Sequence, residues 1–323
     1  MRASPILVIR ISEIAIKSSK TRRRFTGLLV RHIKKALEVL NYKDAQVVDK
    51  YSRIYVKGSN LAKIQELLAT LIPGIASVSF AYELETDKKA IKQCIKDKFA
   101  KTIAQKNNFA VRVKRTGTHD FTSMELAAEL GEFILNISKN QNLRVNLTNP
   151  QYTLYVEVRD KKSYVFDNIT KGLGGLPACS QGRVLVIYSG LEEDIANIIQ
   201  LYKRGAEVLP YAIIKDKSEA IEEDLKKLSN FMKLQQYKET SLIREIEVFS
   251  PKEDNNTIER EILKAYLKYK CMAIGINREF FWKFQKNLPV SIPIFVPHLV
   301  LDVDKKQLNK WKKAINYCFS KNH

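Results

Sequence analysis

A glycine-rich loop followed by a strand, a tight turn and a helix is the stretch of this chain best suited to chemistry. The loop, residues 172–182, holds four of the chain's twelve glycines, a composition that excludes a helix or a central strand. The apolar run Val184 to Tyr188 predicts a buried strand. Ser189 and Gly190 form the turn, and the apolar spacing from Ile195 to Tyr202 predicts an amphipathic helix. Elements in this order can hold a phosphate on backbone N–H groups at the helix N-terminus.

The residues of the turn nevertheless argue against a nucleotide. Leu191 stands where a phosphate-binding loop needs glycine, because a side chain keeps the backbone from approaching an anion closely. Glu192, Glu193 and Asp194 fill the first helical turn. They complement the helix dipole, but they place negative charge where phosphates would lie. The same carboxylates could hold Mg²⁺, although such a cluster more often forms a solvated helix start.

This stretch resembles the pyrophosphatase-loop (PP-loop) segment of the ThiI family, the tRNA 4-thiouridine sulfurtransferases. That family's pattern reads GGLP, a strand, SGGxDS and then KRG. The chain matches it without a gap at 174–177, 189–190 and 203–205, but it has replaced the second loop glycine, the aspartate and the loop serine. The resemblance therefore implies a degenerate nucleotide site, which would use ATP and Mg²⁺ only if the loop still functions. Its residues are Ser189, Gly190, Leu191, Glu193 and Asp194.

The balance of charge indicates a polyanionic partner. The chain has 323 residues and a formal net charge of +20, which favours nucleic acid over a membrane. Residues 1–60 carry 14 Lys and Arg against 4 Asp and Glu, whereas residues 187–260 carry 11 against 15. A lysine-rich proteome is the alternative explanation, and the uneven distribution favours the partner instead.

Residues 1–83 predict a ferredoxin-like domain, because strand and helix patterns follow in the order βαββαβ, with helices beginning at Thr21 and Leu61. The segment also resembles the N-terminal domain of the ThiI family, through residues 13–17 and 52–54. Cations gather at the loop that leads into the first helix, where they oppose the helix dipole. A phosphate partner would offset that cost; a solvated helix start is the alternative. The candidate RNA contacts here are Lys17, Lys20, Arg22, Arg23, Arg24 and Arg31.

Residues 84–170 resemble a THUMP domain, an RNA-binding module. The pattern predicts a charged helix over 87–105, a capping box of Thr122 with Glu125, and strands that include 109–114 and 143–147. The resemblance implies binding to the acceptor region of tRNA, with Lys114 and Arg115 as phosphate contacts. An ordinary exposed strand end is the alternative for these two cations. The residues that carry the resemblance are Phe109, Arg112, Lys114, Arg115, Phe121, Thr122, Ser123, Glu125, Leu126, Gly131, Asn149, Pro150, Glu157 and Val158.

Residues 171–323 predict a doubly wound, mostly parallel sheet, because strand and helix patterns alternate. Further strands are expected at 206–214, 242–249, 271–276 and 293–295, and helices at 219–234, 257–269 and 305–319. Pro210 counts against a central position for the first of these strands. Ligands of such sheets bind at the carboxyl ends of the strands, where the Ser189 turn lies.

The four cysteines form no metal-binding or catalytic pattern. No two lie at CxxC spacing, so a zinc knuckle is not expected. Cys271 falls on a predicted buried strand, where a thiol is usually inert, and Cys179, in the glycine-rich loop, is expected to be more accessible. No signal peptide or long apolar span is recognisable, which predicts a reduced, cytoplasmic protein with no membrane partner.

The alternating patterns predict an α/β and α+β protein, and the resemblance to the ThiI family implies a ThiI-like architecture that binds tRNA. Intact RNA modules beside a broken loop favour a catalytically impaired subunit that presents tRNA to, or pairs with, a tRNA-modifying enzyme. The gapless frame around Ser189 leaves a second hypothesis open, an active ATP-dependent tRNA sulfurtransferase that makes 4-thiouridine. The resemblance also makes a homodimer the oligomeric state to test.

Overall fold

The computed structural model describes residues 3–12, 18–50, 53–214, 218–235, 248–249, 255–284, 289, 291–296 and 305–320. Elements in the first half of the chain are β1 (Ser4–Ile11), α1 (Ser19–Val39), β2 (Gln46–Lys50), β3 (Arg53–Lys57), α2 (Leu61–Leu71), β4 (Ile75–Glu85), α3 (Lys88–Lys98), α4 (Ala100–Ala104), β5 (Asn108–Thr116), α5 (Ser123–Ile137), β6 (Arg144–Val145), β7 (Tyr152–Arg159), β8 (Lys162–Phe166) and β9 (Thr170–Lys171). Elements in the second half are β10 (Arg183–Tyr188), α6 (Glu192–Lys203), β11 (Glu207–Ile213), α7 (Glu219–Gln235), β12 (Val248–Phe249), α8 (Asn255–Lys268), β13 (Ala273–Gly275), α9 (Arg278–Phe284), β14 (Ile294–Phe295) and α10 (Lys305–Ser320).

The predicted βαββαβ order is confirmed by β1 through β4. These strands continue into the next segment as one sheet with the order β2-β3-β1-β4-β8-β7-β5-β6, and β9 pairs with β4. The helix α1 begins at Ser19, two residues before the predicted start, because the Ser18 side chain caps it by accepting a hydrogen bond from the Thr21 N–H at 3.4 Å. The cations from Lys20 to Arg24 therefore lie within the helix, not in the loop that leads into it.

The segment from α3 to β8 differs from the sequence prediction at two places. The single helix predicted over 87–105 is divided at Phe99, whose backbone leaves helical geometry (φ −122°, ψ −24°) while its side chain is buried in the core. The strand predicted over 143–147 is reduced to Arg144–Val145. The predicted capping box is confirmed: the Glu125 N–H donates to Thr122 Oγ1 at 3.1 Å, and the Thr122 N–H donates to Glu125 Oε2 at 2.7 Å.

The second sheet has the order β12-β11-β10-β13-β14, and its recorded pairings are all parallel, which confirms the doubly wound prediction. The expectation drawn from Pro210 was wrong, because β11 lies between β10 and β12. The described pairing of β11 with β12 begins only at Ala212, beyond the proline, so the missing N–H interrupts no hydrogen bond recorded there. Residues 242–247 of the predicted next strand lie outside the described residues.

Internal contacts divide the chain into two units. One comprises residues 1–9, 55–65 and 78–170; the other comprises residues 10–54, 66–77 and 171–323. The first contains an apolar core between α3, α5 and the strands β5 and β7. The second contains a core between α8 and the strands β10, β11 and β13. Among the helices that the structure describes, none is both long and apolar enough to cross a membrane.

The titration of His32 gives a prediction for the fold. His32 lies on the buried face of α1, where burial, aided by the charge of Arg31, lowers its pKa from 6.5 to about 4. The neutral imidazole is favoured in the folded state, so its contribution to stability is complete above pH 6.5 and is lost as the pH falls toward 4. We expect this group to remove about 3 kcal/mol from the free energy of unfolding across that interval. Urea titrations of wild-type protein and His32→Gln at several pH values measure it, and an equally steep acid dependence in the variant would refute the assignment.

Candidate functional site

The turn after β10 has the frame of a nucleotide loop. The strand β10 is the central strand of the sheet, between β11 and β13. The turn therefore lies at the carboxyl end of a central strand, where ligands of this fold class bind. Gly190 adopts a left-handed conformation (φ +95°), and a Cβ there would lie 3.0 Å from Ile221 Cδ1. The backbone therefore requires glycine at this position. The helix α6 begins two residues later, so its first N–H groups face the turn.

The Asp194 carboxylate occupies the hydrogen-bond donors of this turn. Its Oδ2 accepts from the Ser189 N–H at 2.7 Å, from Ser189 Oγ at 2.9 Å and from the Leu191 N–H at 3.2 Å. The side chain is fully buried. Burial raises the pKa of Asp194, while the hydrogen bonds from Ser189 and Asn277 act to lower it. An oxygen of the protein's own carboxylate thus lies where the loop would present donors to a phosphate.

Asn277 completes this arrangement, and the sequence reasoning missed it. Its Nδ2 donates to Asp194 Oδ1 at 2.7 Å and to Ser189 Oγ at 3.0 Å, and its Oδ1 accepts from the Phe280 N–H at 2.8 Å. Asn277 follows β13, the parallel neighbour of β10. An amide residue directly after a predicted strand was the only available signal. The result is a buried polar network that joins the carboxyl ends of two adjacent strands.

Glu192 and Glu193 make no hydrogen bond to this network in the part of the chain that the structure describes. Glu192 is exposed and accepts a hydrogen bond from Lys312 Nζ at 3.0 Å. Glu193 is half-buried. In the described ranges no three His, Cys, Asp or Glu side chains gather closely enough to hold a metal ion. Of the three acidic residues, Asp194 is the one whose carboxylate bonds to the turn in the described structure.

The GGLP and KRG motifs contact each other. The Leu176 N–H donates to the Lys203 carbonyl at 3.0 Å, and the Gln181 N–H donates to the Gly205 carbonyl at 3.1 Å. A Cβ at Gly175 would collide with the Lys203 carbonyl, and a Cβ at Gly205 would collide with Ser180 Oγ. The two glycines thus allow the loop to pack directly on the end of α6. Both motifs are explained by packing, without a ligand.

The predicted cations of α1 form one exposed basic surface. Lys20, Arg22, Arg23 and Arg24 are all exposed, and no acidic residue lies in the first turn of the helix. Lys20, Arg23 and Arg24 line a cavity of about 370 Å³ together with Ser19. Arg24 is also fixed to the glycine-rich loop, because its Nη2 donates to the Ser180 carbonyl at 3.2 Å. Arg31 is exposed further along the helix, and Lys17 lies outside the described residues.

The two predicted cations of the other unit lie on β5. Lys114 and Arg115 are both exposed and pair in register with Glu157 and Val158 of β7. Arg115 Nη1 donates to the Gly117 carbonyl at 3.2 Å. Their exposure is what phosphate contacts require, and their use for RNA remains a prediction.

The cysteines differ in accessibility as expected. Cys94 and Cys271 are buried, and Cys179 is partly exposed. Burial raises the pKa of the Cys271 thiol to about 12 and that of Cys94 to about 11. Neither forms a thiolate near neutral pH, so neither is a reactive nucleophile.

Two family models match the chain, and they cover adjacent segments. The ThiI ferredoxin-like domain matches residues 6–79, and the THUMP domain matches residues 85–167. The predicted resemblance to the ThiI family is thus confirmed.

A probable tRNA sulfurtransferase of Methanobrevibacter smithii is 34% identical over 212 residues, which are 63% of this chain and 52% of the relative. A tRNA sulfurtransferase of Desulfurococcus amylolyticus is 36% identical over 206 residues, 62% of this chain and 40% of the relative. The chain spans about half the length of the curated relatives it matches.

Two solved structures share the architecture along nearly the whole chain. The crystal structure of PH1313 from Pyrococcus horikoshii superposes with a TM-score of 0.74 at 25% identity, covering 98% of this chain and 99% of that one. The crystal structure of a 4-thiouridine synthetase in complex with RNA and ATP superposes with a TM-score of 0.71 at 18% identity, covering 99% of this chain and 87% of that one. The second match establishes the fold only.

The difference between the thiols gives a prediction for alkylation. We expect iodoacetamide at neutral pH to modify Cys179 well before Cys271 or Cys94, because only exposed thiolate reacts and the thiols of Cys271 and Cys94 are buried with raised pKa values. Peptide mapping by mass spectrometry over a time course measures each site. Reaction of Cys271 at the rate of Cys179 would contradict the assignment, and the same experiment in denaturant, where all thiols should react alike, is the control.

Proposed function

From the ThiI ferredoxin-like and THUMP domains that this chain carries, we propose that it binds tRNA and acts in tRNA modification as a subunit that presents tRNA to a modifying enzyme. In this proposal the ferredoxin-like domain comprises residues 1–83, the THUMP domain 84–170 and the degenerate PP-loop domain 171–323. The observation that carries the proposal is the bonding of the Asp194 carboxylate to the Ser189 and Leu191 N–H groups. The chain keeps the segments that match the ferredoxin-like and THUMP domains. The donors of its nucleotide loop are bonded to its own Asp194 carboxylate.

Charge supports tRNA as the ligand. The net charge of +20 provides the sequence-independent attraction on which nucleic-acid binding depends. The exposed cations Lys20, Arg22 and Arg23 at the start of α1 lack acidic neighbours in the first turn, so a phosphate would relieve their repulsion with the helix dipole. Lys114 and Arg115 supply a second group of exposed cations in the THUMP segment.

The position of Asp194 in the loop supports the proposal that the chain does not bind ATP there. A phosphate entering the turn would have to displace the buried carboxylate from three donors of the loop, and it would meet that like charge at close range. Leu191 adds a side chain at a position where close backbone approach is needed. ATP and Mg²⁺ are therefore not part of the proposed function.

ATP binding tests this reading. We expect isothermal titration calorimetry to detect no binding of ATP·Mg²⁺ to the wild-type protein at millimolar concentration, with or without tRNA. Asp194→Ser should bind more tightly than wild type, because it removes the carboxylate and frees the donors of Ser189 and Leu191. Glu193→Ser is the matched control, since it removes one charge from the same helical turn without opening the loop. Clear binding by the wild-type protein would move the enzyme hypothesis to first place.

The basic surface of α1 gives a separate prediction. Reversing Arg22 and Arg23 to Glu should weaken tRNA binding and reduce the slope of log K against log salt by about 2, since each phosphate contact contributes nearly one unit. Arg24 is left unchanged because it is fixed to Ser180. The control is Lys310→Glu with Lys313→Glu, two exposed cations on α10. An unchanged salt slope in the Arg22 and Arg23 variant would exclude this surface from the RNA footprint.

The names of the relatives favour a second function, that of a tRNA sulfurtransferase. The alternative hypothesis is therefore an ATP-dependent enzyme that makes 4-thiouridine. The gapless frame around Ser189 and Gly190 is compatible with it. Thiolation by the purified chain, with ATP, a sulfur donor and tRNA, would establish this function and refute the presenting-subunit proposal. Normal 4-thiouridine in tRNA from cells that lack the protein would refute the sulfurtransferase instead.

A further inference from the structure

A cavity of about 840 Å³ lies at the opposite end of the second sheet from the Ser189 turn. Val184, Ala273 and Ile294 line it, each at or near the amino end of its strand. The strand β10 rises about 3.3 Å per residue, so this end lies roughly 17 Å from Ser189. The strand residues of the lining therefore lie far from the degenerate nucleotide loop. Phe281, which also lines the cavity, donates its backbone N–H to the carbonyl of Asn277 at 3.0 Å.

The walls of the cavity are apolar and partly aromatic. Phe281 and Phe295 line it together with Met272. Met272 is 65% exposed and Phe295 is 46% exposed, which is unusual for large apolar side chains that face a concave surface. These side chains present flat and polarisable surfaces to whatever occupies the cavity.

Three polar side chains stand among the apolar ones. They are Gln181, Gln200 and Arg204. Among the residues that the structure describes, no carboxylate lies within ion-pair distance of Arg204, and no hydrogen bond is recorded for the Gln200 amide. Carboxamides and guanidinium groups match the donor and acceptor patterns at base edges. Flat apolar walls with a few such groups are the composition by which proteins hold an unpaired base.

The cavity adjoins the basic surface of α1. The Arg24 guanidinium donates to the carbonyl of Ser180 at 3.2 Å, and Gln181, the next residue, lines the apolar cavity. Arg24 also lines the cationic cavity at the start of α1 with Lys20 and Arg23. The segment Ser180–Gln181 therefore contacts a cation of the basic surface through Ser180 and the apolar cavity through Gln181.

We propose that the apolar cavity receives an unpaired base of the bound tRNA, while Lys20 and Arg23 hold the phosphates beside it. This rests on the proposed tRNA binding and adds a base-holding site to it. The neighbouring exposed cations favour RNA over an apolar segment of a protein partner, because an apolar segment would leave their charge uncompensated. Specificity would arise from Gln181, Gln200 and Arg204, which could read the base edge.

The test uses neutral substitutions, so that electrostatic attraction is unchanged. Phe295→Ala should weaken tRNA binding about tenfold, since loss of one base–aromatic contact has about this effect, and the slope of log K against log salt should stay at the wild-type value. Met272→Ala, at a more exposed position, should weaken binding in the same direction. Leu267→Ala is the matched control, because Leu267 is 71% exposed on α8 and does not line the cavity. Thermal denaturation of each variant excludes loss of folding as the cause.

Photocrosslinking provides a second measurement. Ultraviolet irradiation of the tRNA complex should give a nucleotide adduct that maps by mass spectrometry to Met272, Phe281 or Phe295. Wild-type affinity in both alanine variants, with no adduct at these residues, would overturn the proposal and leave the cavity to an apolar segment of a protein partner. Failure of the wild-type protein to bind tRNA at all would instead refute the proposed function, so the two failures are distinguishable.

Discussion

The turn after β10 depends on one buried carboxylate. Asp194 is fully buried, and a buried charge is very costly unless it is hydrogen-bonded. Four hydrogen bonds, from the Ser189 N–H and Oγ, the Leu191 N–H and the Asn277 Nδ2, meet that requirement. The same bonds fix the start of α6 and join the ends of two parallel strands. These donors stabilise the Asp194 charge, so an external anion would have to compete with that carboxylate for them.

Part of this arrangement could be predicted from sequence. The apolar run 184–188, the glycine at 190 and the helical spacing that follows predicted the strand, turn and helix, because each depends on local geometry. That three acidic residues would open the helix was also evident. Which of them would turn inward was not, because the answer depends on Asn277, a partner 83 residues away in sequence. A single sequence gives no means of pairing residues at that distance.

The other differences have the same cause. The helix predicted over 87–105 breaks at Phe99, whose side chain is buried in the core with Ile95 and Ile103. No glycine or proline marks the break in the sequence. Pro210 was expected to count against a central strand because proline lacks the N–H that a second neighbouring strand would bind. Whether that N–H is needed depends on where β12 begins to pair with β11. Local rules gave the element types and failed where a neighbour distant in sequence decided the outcome.

The retained motifs have a physical explanation that does not require catalysis. Gly175 and Gly205 permit backbone contacts between the glycine-rich loop and the end of α6 that no side chain would allow, so a chain of this fold needs them whether or not it binds ATP. Gly190 is required by its backbone conformation. The chain departs from the family pattern at positions 191, 193 and 194. None of these three positions is explained by the close backbone contacts that require Gly175 and Gly205. Similarity at the packing positions therefore indicates the fold, and the chemistry must be judged from the carboxylate that now occupies the loop.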